Sequence, residues 1–347
     1  MRELLERLLR AAGPSGDETE AATVWRQAAS HFAEVRADAL GNSFATVGAG
    51  GSPRIALVGH IDEIGFRVRS IDDTGQLYLH PIGMWNPAVA LAQRALVLTR
   101  EGSIPGVIGT RARHLLNDEE LARAPELESL HLDVGALDRA DAERHVRIGD
   151  PVVLDGPPIE LLNGRIAGRA LDNRVGALVV LEAARRASEG GCTAEVVAVA
   201  SVQEEIASYA GARAAAYAIE PDLAIVVDVT HAGDVPDLEG DLVRRVGRIA
   251  LGAGPVVTRG ASASRVVADR LIALAGDAGM RVQLEAEGTQ TFTDADAVHE
   301  TRAGVPTGLV SVPLRSMHSP SETVQLSDIA QAIELIAGFC CAPHEPR

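Results

Sequence analysis

Four short apolar runs in this chain each lead to side chains that can bind a metal or move a proton. Ile55-Ala56-Leu57-Val58 precedes His60-Ile61-Asp62-Glu63, and Val196-Val197-Ala198-Val199-Ala200-Ser201-Val202 precedes the pair Glu204-Glu205. Leu223-Ala224-Ile225-Val226-Val227 ends at Asp228, and Leu309-Val310-Ser311-Val312 leads through Pro313-Leu314-Arg315 to His318. Each run reads as a short buried strand with a candidate ligand at its exit. In an open α/β sheet, sites form outside the carboxyl ends of the strands, so residues distant in sequence can converge on one sheet edge.

Helical periodicity fills the intervals. Leu4, Leu5, Leu8 and Leu9 recur at helical spacing in Arg2 to Ala12, after which Pro14-Ser15-Gly16 breaks the pattern. Ser15 or Asp17 is expected to cap a second helix running to about His31, and further amphipathic helices are expected over Asp172 to Ser188, Ser264 to Ala278 and Ser327 to Phe339. Alternating helix and strand implies a layered α/β domain, here a mixed-sheet α/β/α arrangement. Between about Phe66 and Pro158 the pattern changes to short strand-like pieces divided by Gly, Pro and Asp turns. This reads as an inserted β-rich domain at 66–158, leaving a discontinuous main domain of 1–65 and 159–347 with candidate ligands on both sides of the insertion. A length of 347 residues accommodates two domains.

Charge and composition exclude several chemistries. All 32 basic residues are arginine, so Schiff-base and P-loop lysine mechanisms are ruled out. A formal net charge of −16 argues against a nucleic-acid partner, which requires a concentrated basic patch. No apolar stretch approaches the ~20 residues that cross a bilayer, and Met1-Arg2-Glu3-Leu4-Leu5-Glu6 has no signal-peptide core, so no membrane partner and a cytoplasmic location are expected. Cys192, Cys340 and Cys341 have neither the number nor the spacing of a disulfide framework.

His60, Asp172, Glu205, Asp228 and His318 together supply two imidazoles and three carboxylates, a suitable ligand set for two divalent ions. Three carboxylates against two dications leave a net positive charge that acidifies a bridging water. Glu204 cannot readily share a metal with its neighbour, because adjacent side chains at a strand end point in different directions. A free carboxylate beside an activated water is a general base. Asp62, two residues after His60, is placed to fix the orientation of that imidazole. Two structural alternatives stand beside this reading: Asp172 as the N-cap of the helix that follows it, and Asp228 as a turn cap.

The strings His60-Ile61-Asp62-Glu63-Ile64-Gly65-Phe66, Ala170-Leu171-Asp172-Asn173-Arg174, Val202-Gln203-Glu204-Glu205, Val227-Asp228 and Pro313 to Glu322 resemble, in the same order, the M42 family of dinuclear metalloaminopeptidases. That family includes glutamyl and deblocking aminopeptidases and proteins labelled endoglucanase. The resemblance implies Asp172 as bridge, His60 with Asp228 on one ion, Glu205 with His318 on the other, and Glu204 as base. It also implies a PDZ-like or barrel-like insertion used for dimerisation and a tetrahedral homo-dodecamer. The chain departs from the family pattern at Asn173, where Asp is usual, at Gly83-Met84-Trp85, and at Ile206 to Ala210.

The expected function is metal-dependent removal of N-terminal residues from short peptides, through a hydroxide bridging two metals and with Glu204 as base. Zn²⁺ suits the donors, and Co²⁺ or Mn²⁺ also fit. The alternatives are a dinuclear hydrolase of N-acyl amino acids or glycans, and a catalytically silent peptide-binding scaffold.

Overall fold

The computed structural model describes residues 1–122, 124–236 and 247–342. The four apolar runs form adjacent parallel strands at the centre of one large mixed sheet, in the spatial order Glu195–Ser201, Arg54–His60, Leu223–His231 and Thr307–Arg315. Ser43–Val47 and Glu34–Ala37 extend one side of the sheet. Glu322–Gln325, Arg165–Gly168 and Ile159–Leu161 extend the other, and Val256–Gly260 with Gln283–Glu287 branches from Thr307–Arg315. Register sets the site. Ser201 lies opposite His60. Continuing the pairing of Val226 with Val58 by two places brings Asp228 level with His60.

The central strands read as unbroken apolar runs because helices cover both of their faces. On one face lie Leu171–Glu189, Leu326–Cys341 and the N-terminal pair Arg2–Arg10 and Thr19–Ala29. Leu4, Leu5, Leu8 and Leu9 are all buried there, each contributing roughly 1.5–3 kcal/mol of apolar burial. Trp25 adds a directional tie, its indole N–H donating to the Ala177 carbonyl at 2.8 Å. Ala210–Ile219 and Ala295–Val298 cover the opposite face. Among the described residues no helix is long and apolar enough to cross a membrane.

The inserted β-rich segment is a closed barrel rather than a PDZ-like sheet. Its strands are Gly65–Ile71, Leu77–Ile82, Arg94–Thr99, Gly102–Gly109, His131–Asp133 and Pro151–Leu154. Closure removes exposed strand edges. The barrel has its own core, in which Phe66, Val68, Leu77, Val97, Leu132 and Val152 are buried. Phe66 stacks on Trp85 with ring centroids 4.5 Å apart.

The helix Thr19–Ala29 has no side-chain cap, contrary to the expectation for Ser15 or Asp17. Both side chains are engaged elsewhere: the Ser15 hydroxyl donates to Asp62 at 2.6 Å, and Asp17 accepts from Arg67 at 2.6 Å.

Leu171–Glu189 can approach the sheet only because glycines meet at the contact. A Cβ on Gly59 would lie 2.7 Å from the carbonyl carbon of Gly176 and 2.9 Å from the nitrogen of Ala177. On Gly176 it would lie 2.3 Å from Asn173 Oδ1 and 2.5 Å from the Val227 carbonyl oxygen. These contacts are with backbone or with a pinned amide, so neither substitution can be absorbed by a side-chain rotation. Overpacking of this kind typically costs about 1–3 kcal/mol. We expect Gly59→Ala to lower the midpoint of urea unfolding; an unchanged midpoint would mean that the helix has room to withdraw from the strand.

Candidate metal centre

His60, Asp228 and the Glu204-Glu205 pair reach the same sheet edge from three neighbouring strands, and the segment around Asp172 closes over it. His60 Nε2 lies 3.2 Å from Asp172 Oδ1, 3.7 Å from Glu204 Oε2 and 3.8 Å from Asp228 Oδ1. His318 Nε2 lies 3.2 Å from Glu205 Oε2 and 3.6 Å from Asp172 Oδ2. The two oxygens of Asp172 therefore face different imidazoles, the disposition a bridging carboxylate requires. All five expected ligands and Glu204 are gathered in one pocket.

Local backbone chemistry explains how Asp172 comes to be there. Asp172 and Asn173 are non-helical (φ −79°, ψ 106° and φ −125°, ψ 44°) and are joined by a cis peptide bond. Asn173 takes the capping role: its Oδ1 accepts from the Gly176 N–H at 2.8 Å, and its Nδ2 donates to the Val227 carbonyl at 2.8 Å. The Asp172 carboxylate is thereby left to the two imidazoles. Positive φ values at non-glycine residues also gather around the site, at Ala170, Gln203, Ala207, Tyr209, Ser316 and His318 itself. Such backbone is sparsely populated and persists where surrounding contacts over-determine it.

Asp62 does more than face His60, whose Nδ1 lies 3.4 Å from Asp62 Oδ1. It also accepts from the backbone N–H groups of Glu204 and Glu205, each at 3.1 Å, and from the Ser15 hydroxyl. Burial would raise its pKa, but the contacts with His60, Ser15 and the Glu204 amide outweigh burial and hold it below the usual carboxylate range. Asp62 is thus an anchored anion.

The pocket carboxylates behave in the opposite way. Burial, with repulsion from neighbouring acids, pushes Glu204, Asp228 and Glu322 well above their ordinary values and Glu205 up to about 7. The histidines respond to the same field. Burial alone would lower them, yet the surrounding carboxylates hold His60 well above 6.5 and raise His318 to about 9. Crowded buried acids of this kind call for cations. Glu205 Oε1 is buried with no hydrogen-bond partner among the described residues, a ready donor for one. Possible cation groups are His60, Glu204 and Asp228, and His60, Asp172 and Glu205. The donor set fits divalent metal.

Glu322 is the contributor that sequence reasoning left without a role. Its Oε2 accepts from the Asp172 N–H at 3.0 Å and its Oε1 from the His318 N–H at 2.9 Å, so one buried carboxylate ties together two segments that carry candidate ligands. The signal available was an acid four residues after His318. Asp294, also left unassigned, is 1% exposed, accepts from the Ser201 hydroxyl at 2.5 Å and is pushed by burial to about 6. Arg315 makes a two-pronged ion pair with Asp234 at 2.9 and 2.6 Å.

Comparison with known proteins identifies the family. The family model described as M42 glutamyl aminopeptidase matches residues 41–335. The lysyl aminopeptidase of Pyrococcus furiosus is 34% identical over 304 residues, covering 87% of this chain and 85% of the relative. A TET aminopeptidase from a marine-sediment archaeon of the Thaumarchaeota superposes with a TM-score of 0.92 at 34% identity, covering 98% of this chain and 95% of that one. The Pyrococcus horikoshii TET1 peptidase, described as assembling into a tetrahedron or a large octahedral shell, gives 0.86 at 28% identity, with 98% of each chain covered. The chain belongs to the M42 peptidase family, a family of metal-dependent aminopeptidases.

Proposed function

We propose that the chain removes N-terminal residues from short peptides, with one divalent ion held by His60, Asp172 and Asp228, a second by Asp172, Glu205 and His318, and Glu204 as general base. The observation that carries this reading is the placement of the two Asp172 oxygens against separate imidazoles, 3.2 and 3.6 Å away. The donor set suits Zn²⁺, while Co²⁺ and Mn²⁺ fit the same ligands. Bound ions supply Lewis-acid chemistry, making a water more acidic and polarising the scissile carbonyl.

The chain's own residues do the rest. Glu204 stands at the edge of the ligand cluster, 3.7 Å from His60 Nε2, and burial raises its proton affinity above that of an ordinary glutamate, as a proton acceptor requires. It accepts a proton from the attacking water and delivers it to the leaving amine. Asp62 holds the backbone of the Glu204-Glu205 pair and faces the His60 ring, limiting movement of both. The surplus of carboxylates attracts the cationic N-terminus of a peptide, which fixes register and makes the action that of an exopeptidase. Glycan cleavage is not favoured, because the pocket gathers its acids around two imidazoles rather than leaving a free pair to flank a glycosidic bond.

At the level of assembly, we assign residues 66–158 to subunit pairing and residues 1–65 and 159–347 to catalysis, with the barrel's separate core in support. A tetrahedral homo-dodecamer is the assembly inferred, in keeping with the tetrahedron described for the TET1 peptidase. Cytoplasmic action is part of the same reading; all three cysteines are free thiols, as suits a reducing compartment.

Glu204→Gln should retain both ions by elemental analysis while turnover of amino-acid anilides falls ~10²–10⁴-fold, the usual contribution of a general base. Loss of an ion would make Glu204 a ligand instead, and near-normal turnover would remove it from the chemistry. Asp172→Ala should lower the metal content below two ions per chain; full two-ion occupancy would contradict the bridging role.

A further inference from the structure

Ser15 lies on the N-terminal segment, far in sequence from the site, yet it is buried and its hydroxyl reaches Asp62 Oδ2 at 2.6 Å. The same oxygen accepts the Glu205 N–H at 3.1 Å, while Asp62 Oδ1 accepts the Glu204 N–H at 3.1 Å. A carboxylate fixed by donors on both oxygens cannot rotate without losing several hydrogen bonds together. Ser15 is the hydroxyl donor to Asp62, sharing Oδ2 with the Glu205 N–H while His60 Nδ1 faces Oδ1.

The backbone that presents Ser15 is itself fastened to the site. Pro14 pairs with Glu63 as a parallel bridge, the Ser15 N–H donates to the Glu63 carbonyl at 3.3 Å, and the Glu63 N–H donates to the Gly13 carbonyl at 3.0 Å. Glu63 Oε1 accepts from the Gly13 N–H and from Arg174, both at 3.0 Å, and Glu63 Oε2 pairs with Arg169. Arg174, fully buried, also donates to the carbonyls of Leu8 at 2.6 Å and Ala11 at 3.1 Å. Residues 8–15 are thus fastened to the stretch after His60 and to the stretch flanking Asp172. A serine four residues before a helix is a candidate cap; here the helix is uncapped and the hydroxyl serves Asp62.

We propose that Ser15 is a positioning residue for the reaction: acting through Asp62, it fixes the Glu204-Glu205 backbone so that Glu204 meets the attacking water in a proton-accepting orientation. The proposal rests on the assignment of Glu204 as base. Outer partners of metal-site residues typically carry ~10–100-fold in affinity or activity. Removing this one at saturating metal should therefore cost about tenfold in kcat, with KM little changed because substrate contacts are untouched.

The test is a double-mutant cycle on the full-length, metal-loaded protein, with Ser15→Ala, Glu204→Gln and the pair assayed on an amino-acid anilide beside elemental analysis and thermal melting. Ser15→Ala alone should lower kcat about tenfold with both ions and the melting midpoint retained, and should cost nothing further once Glu204 is Gln. An equal loss in both backgrounds, an unchanged kcat, a loss that tracks missing ions, or a variant that no longer folds would each overturn the proposal. Near-normal turnover in Glu204→Gln would instead remove the base assignment beneath it, so the two failures are distinguishable.

Discussion

The balance of charge at one sheet edge governs the rest of this molecule. Asp62, Asp172, Glu204, Asp228, Asp294 and Glu322 are all buried within the site, with the Glu205 carboxylate beside them. The positive charge facing them comes from His60 and His318. At Glu204, Glu205, Asp228, Asp294 and Glu322, lost hydration outweighs the hydrogen bonds received, so the ionised forms are disfavoured unless cations intervene. Metal binding is therefore coupled to the stability of the edge: ions that occupy the folded site and not the unfolded chain shift the folding equilibrium by mass action.

The stretch from His60 to Glu63 sorts its polar groups into separate environments. His60 turns toward the candidate ligand cluster, Asp62 toward the backbone of the Glu204-Glu205 pair, and Glu63 toward two buried arginines. Glu63 is matched locally by Arg169 and Arg174, so it does not add its charge to the pocket. Breaking a buried pair of this kind leaves an uncompensated ion, which makes the Glu63 cluster a strong constraint on where the N-terminal segment can lie. Four parallel strands and the start of Leu171–Glu189 bring the candidate ligands together, and the arginines tie Glu63 to the N-terminal segment.

The sequence made the central strands and their exits legible because continuous apolar runs are the direct signature of strands covered on both faces. His60, Glu204, Glu205 and Asp228 were legible for the same reason, since polar side chains at the exits of such runs have few solvated places to go, whereas Asp172 follows no such run. What local reading missed depended on partners distant in the chain. Ser15 has the chemistry of a helix cap, but its competing acceptor is Asp62, brought near by the fold. Glu322 looks like a loop acid until its two oxygens are found on the amides of Asp172 and His318. Barrel closure depended on pairing between strands at opposite ends of the insertion, such as Gly65–Ile71 with Pro151–Leu154, which no single segment records.

Asn173 joins the charge constraint to the packing constraint. Its amide must donate to the Val227 carbonyl and accept from the Gly176 N–H, and one amide group satisfies both. An ionised aspartate, the residue expected from the family pattern, could accept from Gly176 but could not donate to Val227. It would also add another buried negative charge next to Asp172. With Asn173 completely buried and Gly176 leaving no room for a side chain between them, the amide keeps the helix start fixed without adding to the charge of the neighbouring carboxylates. At this position the departure from the family pattern fixes the backbone beside Asp172 without adding a buried charge there.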